Sequence, residues 1–326
     1  MIGDGMGLNQ LSAAMYSTTE PLAMERIKTI GIHKSHSADD LITDSAAGAT
    51  AFASGVKTNN SYLGLDAAGK KHTSLLRQAG SQGIKTGLVV SSTIVHATPA
   101  AFFAYNTNRN AYDSIAADLP DARVDFIVGG GKKYFDRRKD DTLNLITRMR
   151  EQGYFVTDYF EQDYASWAVP DVPRVAFFTA DGDPLPAVNG RDYLPKASAD
   201  ALNFLSRRAR KGFFLMIEGS QIDWGGHAND AGYVISEMID FDRAVRAVLD
   251  FAERDGNTLV VITGDHDAGG LTINGGKQGD LVCQFSTVKH TGGCIPVYAY
   301  GPGAETFSGI YDNTQIYHKL KKLLLN

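Results

Sequence analysis

Short apolar runs bounded by glycine or serine recur along the chain. Thr86-Gly87-Leu88-Val89-Val90, Val124-Asp125-Phe126-Ile127-Val128, Phe213-Phe214-Leu215-Met216-Ile217, Thr258-Leu259-Val260-Val261-Ile262 and Ile295-Pro296-Val297-Tyr298-Ala299-Tyr300 are each brief and mostly apolar. That is the pattern of strands buried on both faces of a parallel sheet. Helical periodicity lies between them. From about Tyr233 to Glu253, the residues Val234, Ile235, Met238, Val245, Val248, Leu249 and Ala252 recur mostly at three- and four-residue steps, which predicts an amphipathic helix. Another helix is predicted from about Ala197 to Arg210, feeding the Phe213 strand. Strand alternating with helix predicts a doubly wound α/β fold, its mostly parallel sheet flanked by helices on both faces.

The pattern is weakest over 136–195, a stretch rich in Asp, Arg, Tyr and Pro with the turn-like Ala180-Asp181-Gly182-Asp183-Pro184. It reads as an excursion inserted on one α/β domain that takes in residues 1–326. The opening Met1-Ile2-Gly3-Asp4-Gly5 reads as the last turn of a buried strand entering a tight loop. The expectation is that a leader and the first half of that strand precede it in the natural protein.

Composition narrows the partners. Thirty-two Lys and Arg against 37 Asp and Glu give a formal charge of −5 over 326 residues. Nucleic acid or an anionic membrane as main partner calls for a basic face, which this balance disfavours. No apolar run approaches the roughly 18 to 20 residues of a spanning helix. Cys283 and Cys294 are too few for a disulfide scaffold or a thiolate metal cluster, and the sequence leaves open whether they pair.

The chemistry gathers behind the strands. Asp4 follows Met1-Ile2-Gly3, Glu218 ends the Phe213 run, Asp265 and His266 follow the Leu259 run, and His96 and Thr98 come shortly after Val90. In an open α/β sheet the carboxyl ends of the strands line one crevice where ligands bind. Three carboxylates and two imidazoles delivered there would repel and shift one another unless cations shared the space. Carboxylate with imidazole suits zinc, and all-oxygen sets suit magnesium. Asp223-Trp224-Gly225-Gly226-His227 adds an i, i+4 pair that a helical turn places on one face. Its alternative reading is a surface Asp-His pair. Ser45 opens the run of small residues Ser45-Ala46-Ala47-Gly48-Ala49-Thr50-Ala51. It reads either as a helix N-cap or as a nucleophile held beside an anion at a helix N-terminus.

Six blocks, in order, are Gly3-Asp4-Gly5-Met6-Gly7, Asp44-Ser45-Ala46-Ala47, His96-Ala97-Thr98-Pro99-Ala100, Glu218 to His227, Gly264-Asp265-His266 and His290-Thr291-Gly292. Together they resemble the signature blocks of the alkaline phosphatase family, and the resemblance spans nearly the whole chain. It implies a phosphate monoester hydrolase in which Ser45 becomes phosphoserine and activity rises into the alkaline range. It implies two zinc ions, one held by Asp223, His227 and His290, the other by Asp265, His266 and Asp4 with the Ser45 oxygen. A third ion, normally magnesium, would lie between Asp4, Thr98 and Glu218. His96 stands where the family varies between Asp and His, leaving magnesium or zinc open there. Arg109, 13 residues beyond His96, has the family's spacing for the arginine that clamps phosphate, a task that suits a guanidinium fork. Trp224 stands at another variable position, as an aromatic wall or as a packing residue.

The resemblance further implies inorganic phosphate as product, a homodimer, and a periplasmic or secreted location. Alternatives weighed beside it are a phosphodiesterase of the same superfamily and a non-catalytic phosphate- or metal-binding protein. A sulfatase is disfavoured, because Ser45-Ala46-Ala47-Gly48-Ala49 lacks the C/S-x-P-x-R segment. His33, His36, His72 and His318 match no ligand position and read as packing or surface residues. Gly129-Gly130-Gly131-Lys132-Lys133 lacks the phosphate-loop pattern and reads as a turn.

Overall fold

The apolar runs become the middle of one sheet. A computed structural model describes residues 1–325. With strands numbered along the chain, ten stand in the order β14 (Gly309–Asp312), β2 (Thr29–Lys34), β13 (Ile295–Tyr300), β8 (Val260–Gly264), β1 (Ile2–Gly3), β7 (Phe213–Gly219), β3 (Lys85–Thr93), β4 (Phe126–Gly130), β6 (Arg174–Phe178) and β5 (Tyr154–Asp158). Neighbours are parallel except that β13 runs antiparallel to both β2 and β8. The sequence pattern predicts β13 as one more parallel strand. Its reversal follows from the connection. After β8 the chain forms β9 (Asp267–Ala268), a hairpin of β10 (Leu271–Lys277) and β11 (Asp280–Phe285), and β12 (His290–Thr291), which pairs back onto β9. The chain therefore re-enters the sheet from the edge where β8 ended.

Alternation along β3 shows how the layers form. Leu88 and Val90 pack into one apolar cluster with Phe52, Phe103 and Ile316, while Val89 joins the opposite cluster with Leu202, Phe241 and Val245. Each fully buried side chain of this size contributes roughly 1.5–3 kcal/mol. The helices Tyr193–Arg208 and Ala231–Asp255 cover the second face. The longer one begins where the Asp230 side chain accepts from Tyr233 N–H and ends at Gly256, whose φ of 70° is left-handed. Both match the periodicity within a few residues. The stretch 136–195 supplies β5 and β6 at one edge of the sheet, two strands the pattern does not predict. An apolar cavity of about 560 Å³ lies at the opposite end from the strands' carboxyl termini, among Met1, Phe214, Leu215 and Val260.

Cys283, half-buried on β11, and Cys294, exposed, are free thiols. Among the described residues no helix is long and apolar enough to cross a membrane.

Candidate active site

The carboxyl ends of β1, β3, β7 and β8 converge because these strands are neighbours in register: Ile2 pairs with Glu218 on one side and Thr263 on the other, and Val90 pairs with Glu218. Asp4, Glu218, Asp265 and His266 leave these ends fully buried. The turn at Asp4 needs Gly5, whose φ is 74° and whose missing Cβ would sit 2.6 Å from Asp223 Cα. Gly5 N–H donates to Asp265 Oδ1 at 3.1 Å, so the loop after β1 is tied to the end of β8.

Ser45 does not cap its helix. The cap is Asp44, whose Oδ1 accepts from Ala47 N–H at 2.9 Å, and Ser45 is the first residue of the helix Ser45–Ser54. Its hydroxyl is thereby free to face the cluster, 3.3 Å from Asp4 Oδ1 and 3.3 Å from His266 Nε2. Small residues let the helix come this close: a Cβ on Gly48 would lie 3.2 Å from Asp265 Cβ. Arg109 points Nη2 at Ser45 Oγ, 3.5 Å away, and Nη1 at Asp44 Oδ2, 3.1 Å away.

Three clusters have one ligand atom from each residue within 4.8 Å of the others: Asp223, His266 and His290; Asp4, Asp265 and His266; and Asp4, His96 and Glu218. His227, one helical turn beyond Asp223, places Nε2 3.3 Å from Asp223 Oδ2 and 3.1 Å from His290 Nε2. His266 stacks on His290 with ring centroids 3.6 Å apart and so sits between the first two clusters. Thr98, at the start of the short helix Ala97–Ala100, is fully buried like Glu218. Trp224 meets His96 edge-on at 6.0 Å. Every residue named from the sequence for this chemistry therefore lies at one end of the sheet. His33 does not belong to the set: buried, it contacts the Gly264 carbonyl at 3.0 Å and meets Phe52 edge-on.

The electrostatics test whether cations fit. Burial pushes Glu218 up to about 8 and Asp265 up to about 6, and burial with the charges of Asp265, Asp223 and Glu218 holds Asp4 well above its usual range. Burial would raise Asp223 as well, but hydrogen bonds with His227 and His290 hold it well below. Burial, reinforced by the Arg109 charge, lowers His96 to about 3. Five buried atoms of these clusters, Asp4 Oδ2, His96 Nδ1, Thr98 Oγ1, Glu218 Oε1 and Asp265 Oδ2, have no hydrogen-bond partner among the described residues. Orphaned buried polar atoms cost about 1–3 kcal/mol each and more when charged. Divalent cations bound there would satisfy them, and the mixed imidazole and oxygen donors are the types such ions bind.

A family model described as alkaline phosphatase matches residues 1–286. The chain belongs to the alkaline phosphatase family. Alkaline phosphatase 4 of Bacillus subtilis is 33% identical over 99% of this chain and 87% of that protein. The alkaline phosphatase of the Antarctic bacterium TAB5 superposes with a TM-score of 0.94 at 39% identity, covering 99% of this chain and 96% of that one. A variant of the TAB5 alkaline phosphatase, with one histidine replaced by Glu and with magnesium bound in its M3 site, superposes at 0.93 with the same identity and coverage. Membership makes the chain an enzyme of the phosphomonoesterase class. One residue of this alkaline phosphatase site escapes the sequence reading. Asp44 holds both the Ser45 helix and Arg109, and its signal was available, since Asp outranks Ala and stands directly before the helix at the N-cap position.

Proposed function

We propose that this alkaline phosphatase hydrolyses phosphate monoesters through a phosphoserine at Ser45 and releases inorganic phosphate, with activity rising into the alkaline range. The observation that carries the reading is the position of Ser45 Oγ, within hydrogen-bond distance of Asp4, His266 and Arg109 at the N-terminus of its helix. Ser45 gives its proton up to solvent and bonds to phosphorus as the bond from phosphorus to the ester oxygen breaks, and that oxygen departs with the electron pair and takes up a proton as the alcohol. Water then cleaves the phosphoserine and restores the hydroxyl. Arg109 offers its guanidinium to the phosphoryl oxygens, while Asp44 keeps it aimed beside the nucleophile. The N-terminus of the Ser45 helix adds its dipole to the same charge.

Asp223, His227 and His290 would hold one zinc ion, and Asp265, His266 and Asp4 a second. Asp4, Thr98 and Glu218, with His96 beside them, would hold a third ion, magnesium or zinc. Bound there, such cations neutralise the phosphoryl charge and stabilise the entering and departing oxygens. Magnesium in the M3 site of a TAB5 histidine variant supports a third ion in this chain. Trp224 serves as an aromatic wall against His96. A homodimer exported to the periplasm or medium completes the reading, with no nucleic acid as partner.

The test is to mix the enzyme with a phosphorus-labelled monoester, quench in acid and map the label. Label on the Ser45 peptide is expected. Sustained turnover with no label on any serine would overturn the covalent route. Elemental analysis should find zinc near two per chain with one further divalent ion.

A further inference from the structure

The in-line geometry of phosphoryl transfer sends the ester oxygen away from phosphorus on the side opposite the attacking oxygen. Ser45, Asp4, Asp265 and His266 are buried, so the way out lies past the imidazoles that still face solvent. Those are His227, with 40% of its side chain exposed, and His290, with 13%. Each is fastened to a loop by its other ring nitrogen. His227 Nδ1 contacts the Val288 carbonyl at 2.6 Å, and His290 Nδ1 contacts the Thr43 carbonyl at 2.8 Å. The two loops that flank the exit carry Val288, 58% exposed, and Leu41 and Ile42, 81% and 41% exposed.

Single exposed apolar side chains are ordinary on a protein surface. These three differ in being concentrated on the two loops that anchor the outward imidazoles, and in being held out by braced backbone. Ile42 N–H donates to Asp40 Oδ1 at 2.9 Å, and Asn60 Nδ2 donates to the Ile42 carbonyl at 3.0 Å. On the other loop, Thr287 N–H donates to the Gly269 carbonyl at 3.2 Å and the Lys289 carbonyl accepts from Gly269 N–H at 2.9 Å. These backbone hydrogen bonds hold the two loops in place beside the exit, where Leu41, Ile42 and Val288 leave apolar surface in water.

We propose that the alcohol half of the substrate covers it: the enzyme selects phosphate monoesters of apolar alcohols, and Leu41, Ile42 and Val288 form the surface that recognises them. This rests on hydrolysis at Ser45 as proposed above and adds the class of alcohol. Lys289, exposed next to Val288, identifies the competing outcome, an anionic alcohol half.

The test compares kcat/KM for hexyl phosphate and glycerol 1-phosphate, two primary alkyl esters of similar leaving-group chemistry, in the metal-loaded enzyme. The same ratio is then measured in Leu41→Ser, Val288→Ser and the double variant. Hexyl phosphate is expected to be preferred by roughly tenfold. Each single variant should cut that preference about threefold, through KM rather than kcat. Glycerol phosphate turnover and inhibition by inorganic phosphate should not move, since neither involves these side chains. Equal kcat/KM for the two esters would overturn the proposal, as would a stronger preference for 3-phosphoglycerate, whose alcohol half carries a carboxylate, that Lys289→Ala abolishes. Failure of the metal-loaded enzyme to hydrolyse any monoester would overturn the reaction at Ser45 itself, a result distinct from loss of selectivity.

Discussion

Arg109 Nη1 donates to Asp44 Oδ2 at 3.1 Å, and the other oxygen of the same carboxylate caps the helix that begins with Ser45. One acid thus fixes the Ser45 helix and the Arg109 guanidinium relative to each other. Asp44→Ala should cost about 1 kcal/mol of helix capping and lower the melting temperature by about 2 °C. It should also weaken inhibition by inorganic phosphate severalfold, because Arg109 loses its partner. Asp44→Asn keeps the oxygen for Ala47 but turns an amide toward Arg109 and toward Ser61 N–H, so it should keep the helix cap, lose the Ser61 hydrogen bond and still raise the inhibition constant. Calorimetry and product-inhibition kinetics on the two variants separate the roles.

Ser45→Ala removes the attacking oxygen without touching the cap, since that belongs to Asp44. Turnover of a phosphate monoester should fall on the order of 10³-fold or more. The melting temperature should stay within about 1 °C, alanine being the best helix former. Zinc content should be unchanged, because the carboxylates and imidazoles of all three clusters remain. Near-normal hydrolysis by this variant would remove serine from the chemistry.

What the sequence makes legible is unevenly spread, and the reasons are physical. Strands β3, β4, β7 and β8 stand in the middle of the sheet, apolar on both sides, so their runs are continuous and visible. Strands β2 and β5 lie at or near its edges and mix faces: Ile30 and Ile32 point out while Gly31 and His33 are buried, and Phe155 is half-exposed between Tyr154 and Val156. Such short mixed segments read as loop. Asp4, Glu218, Asp265 and His266 are legible because each stands at the end of a strand of the sheet, whereas Asp223 and His227, on a helix, and His290, in β12, are legible by their spacing or by the family their blocks resemble. Asp44 is missed because its importance lies in three contacts, to Ala47, to Ser61 and to Arg109 65 residues away, and the last two have no trace in local sequence. The exposed side chains of Leu41 and Val288 carry no sequence signal either, since only the contacts of the Thr43 carbonyl with His290 and of the Val288 carbonyl with His227 put their loops beside the exit.

Removing the cations should destabilise the fold as well as silence it. Asp4, Glu218, Asp223 and Asp265 are buried within one region, and only Asp223 is strongly supported by imidazoles. A ligand that binds the folded chain alone stabilises it by about 2.7 kcal/mol at a hundred times its dissociation constant. The melting temperature should therefore drop after exhaustive chelation and climb again with added zinc. Hydrolysis should return over the same range. Full activity with metal shown to be absent by elemental analysis would count against the cation clusters.

The chelated chain should have a distinctive pH response. Glu218 is raised to about 8 by burial, and His227 is raised to about 9 by its hydrogen bond with Asp223. In both cases the folded state binds its proton more tightly than the unfolded state, so the stability is present below the unfolded value and is lost as pH rises through the folded one. His96 and His266, lowered mainly by burial, act in the opposite sense, but only below the unfolded histidine value of about 6.5. The Met1 amino group, lowered by burial to about 5, opposes Glu218 and His227 up to its unfolded value of about 8, so the melting temperature of the metal-free chain should fall most clearly between about pH 8 and 9. With cations bound the carboxylates are already ionised, and the same scan should be much flatter. A flat profile for the chelated protein would show that these acids titrate normally.

The third cluster offers the sharpest chemical choice. His96 Nδ1 lies 4.0 Å from Asp4 Oδ2, beside Glu218 and Thr98, so an otherwise all-oxygen set includes one imidazole. Replacing it by a carboxylate gives a hard-oxygen set, which favours magnesium over zinc. His96→Asp should therefore raise the magnesium found per chain and make the melting temperature rise with added magnesium, a readout independent of turnover. The substitution has a second consequence. Arg109 Nη2 lies 3.4 Å from His96 Nε2 and 3.5 Å from Ser45 Oγ, poised between them. An aspartate in place of the neutral ring adds a negative charge that competes for the guanidinium and draws it from the nucleophile. Inhibition by inorganic phosphate should weaken in His96→Asp until magnesium saturates the cluster and engages the new carboxylate, after which it should recover. Weakening that persists at saturating magnesium would mean that the aspartate pairs with Arg109 and leaves the cation to Asp4, Thr98 and Glu218.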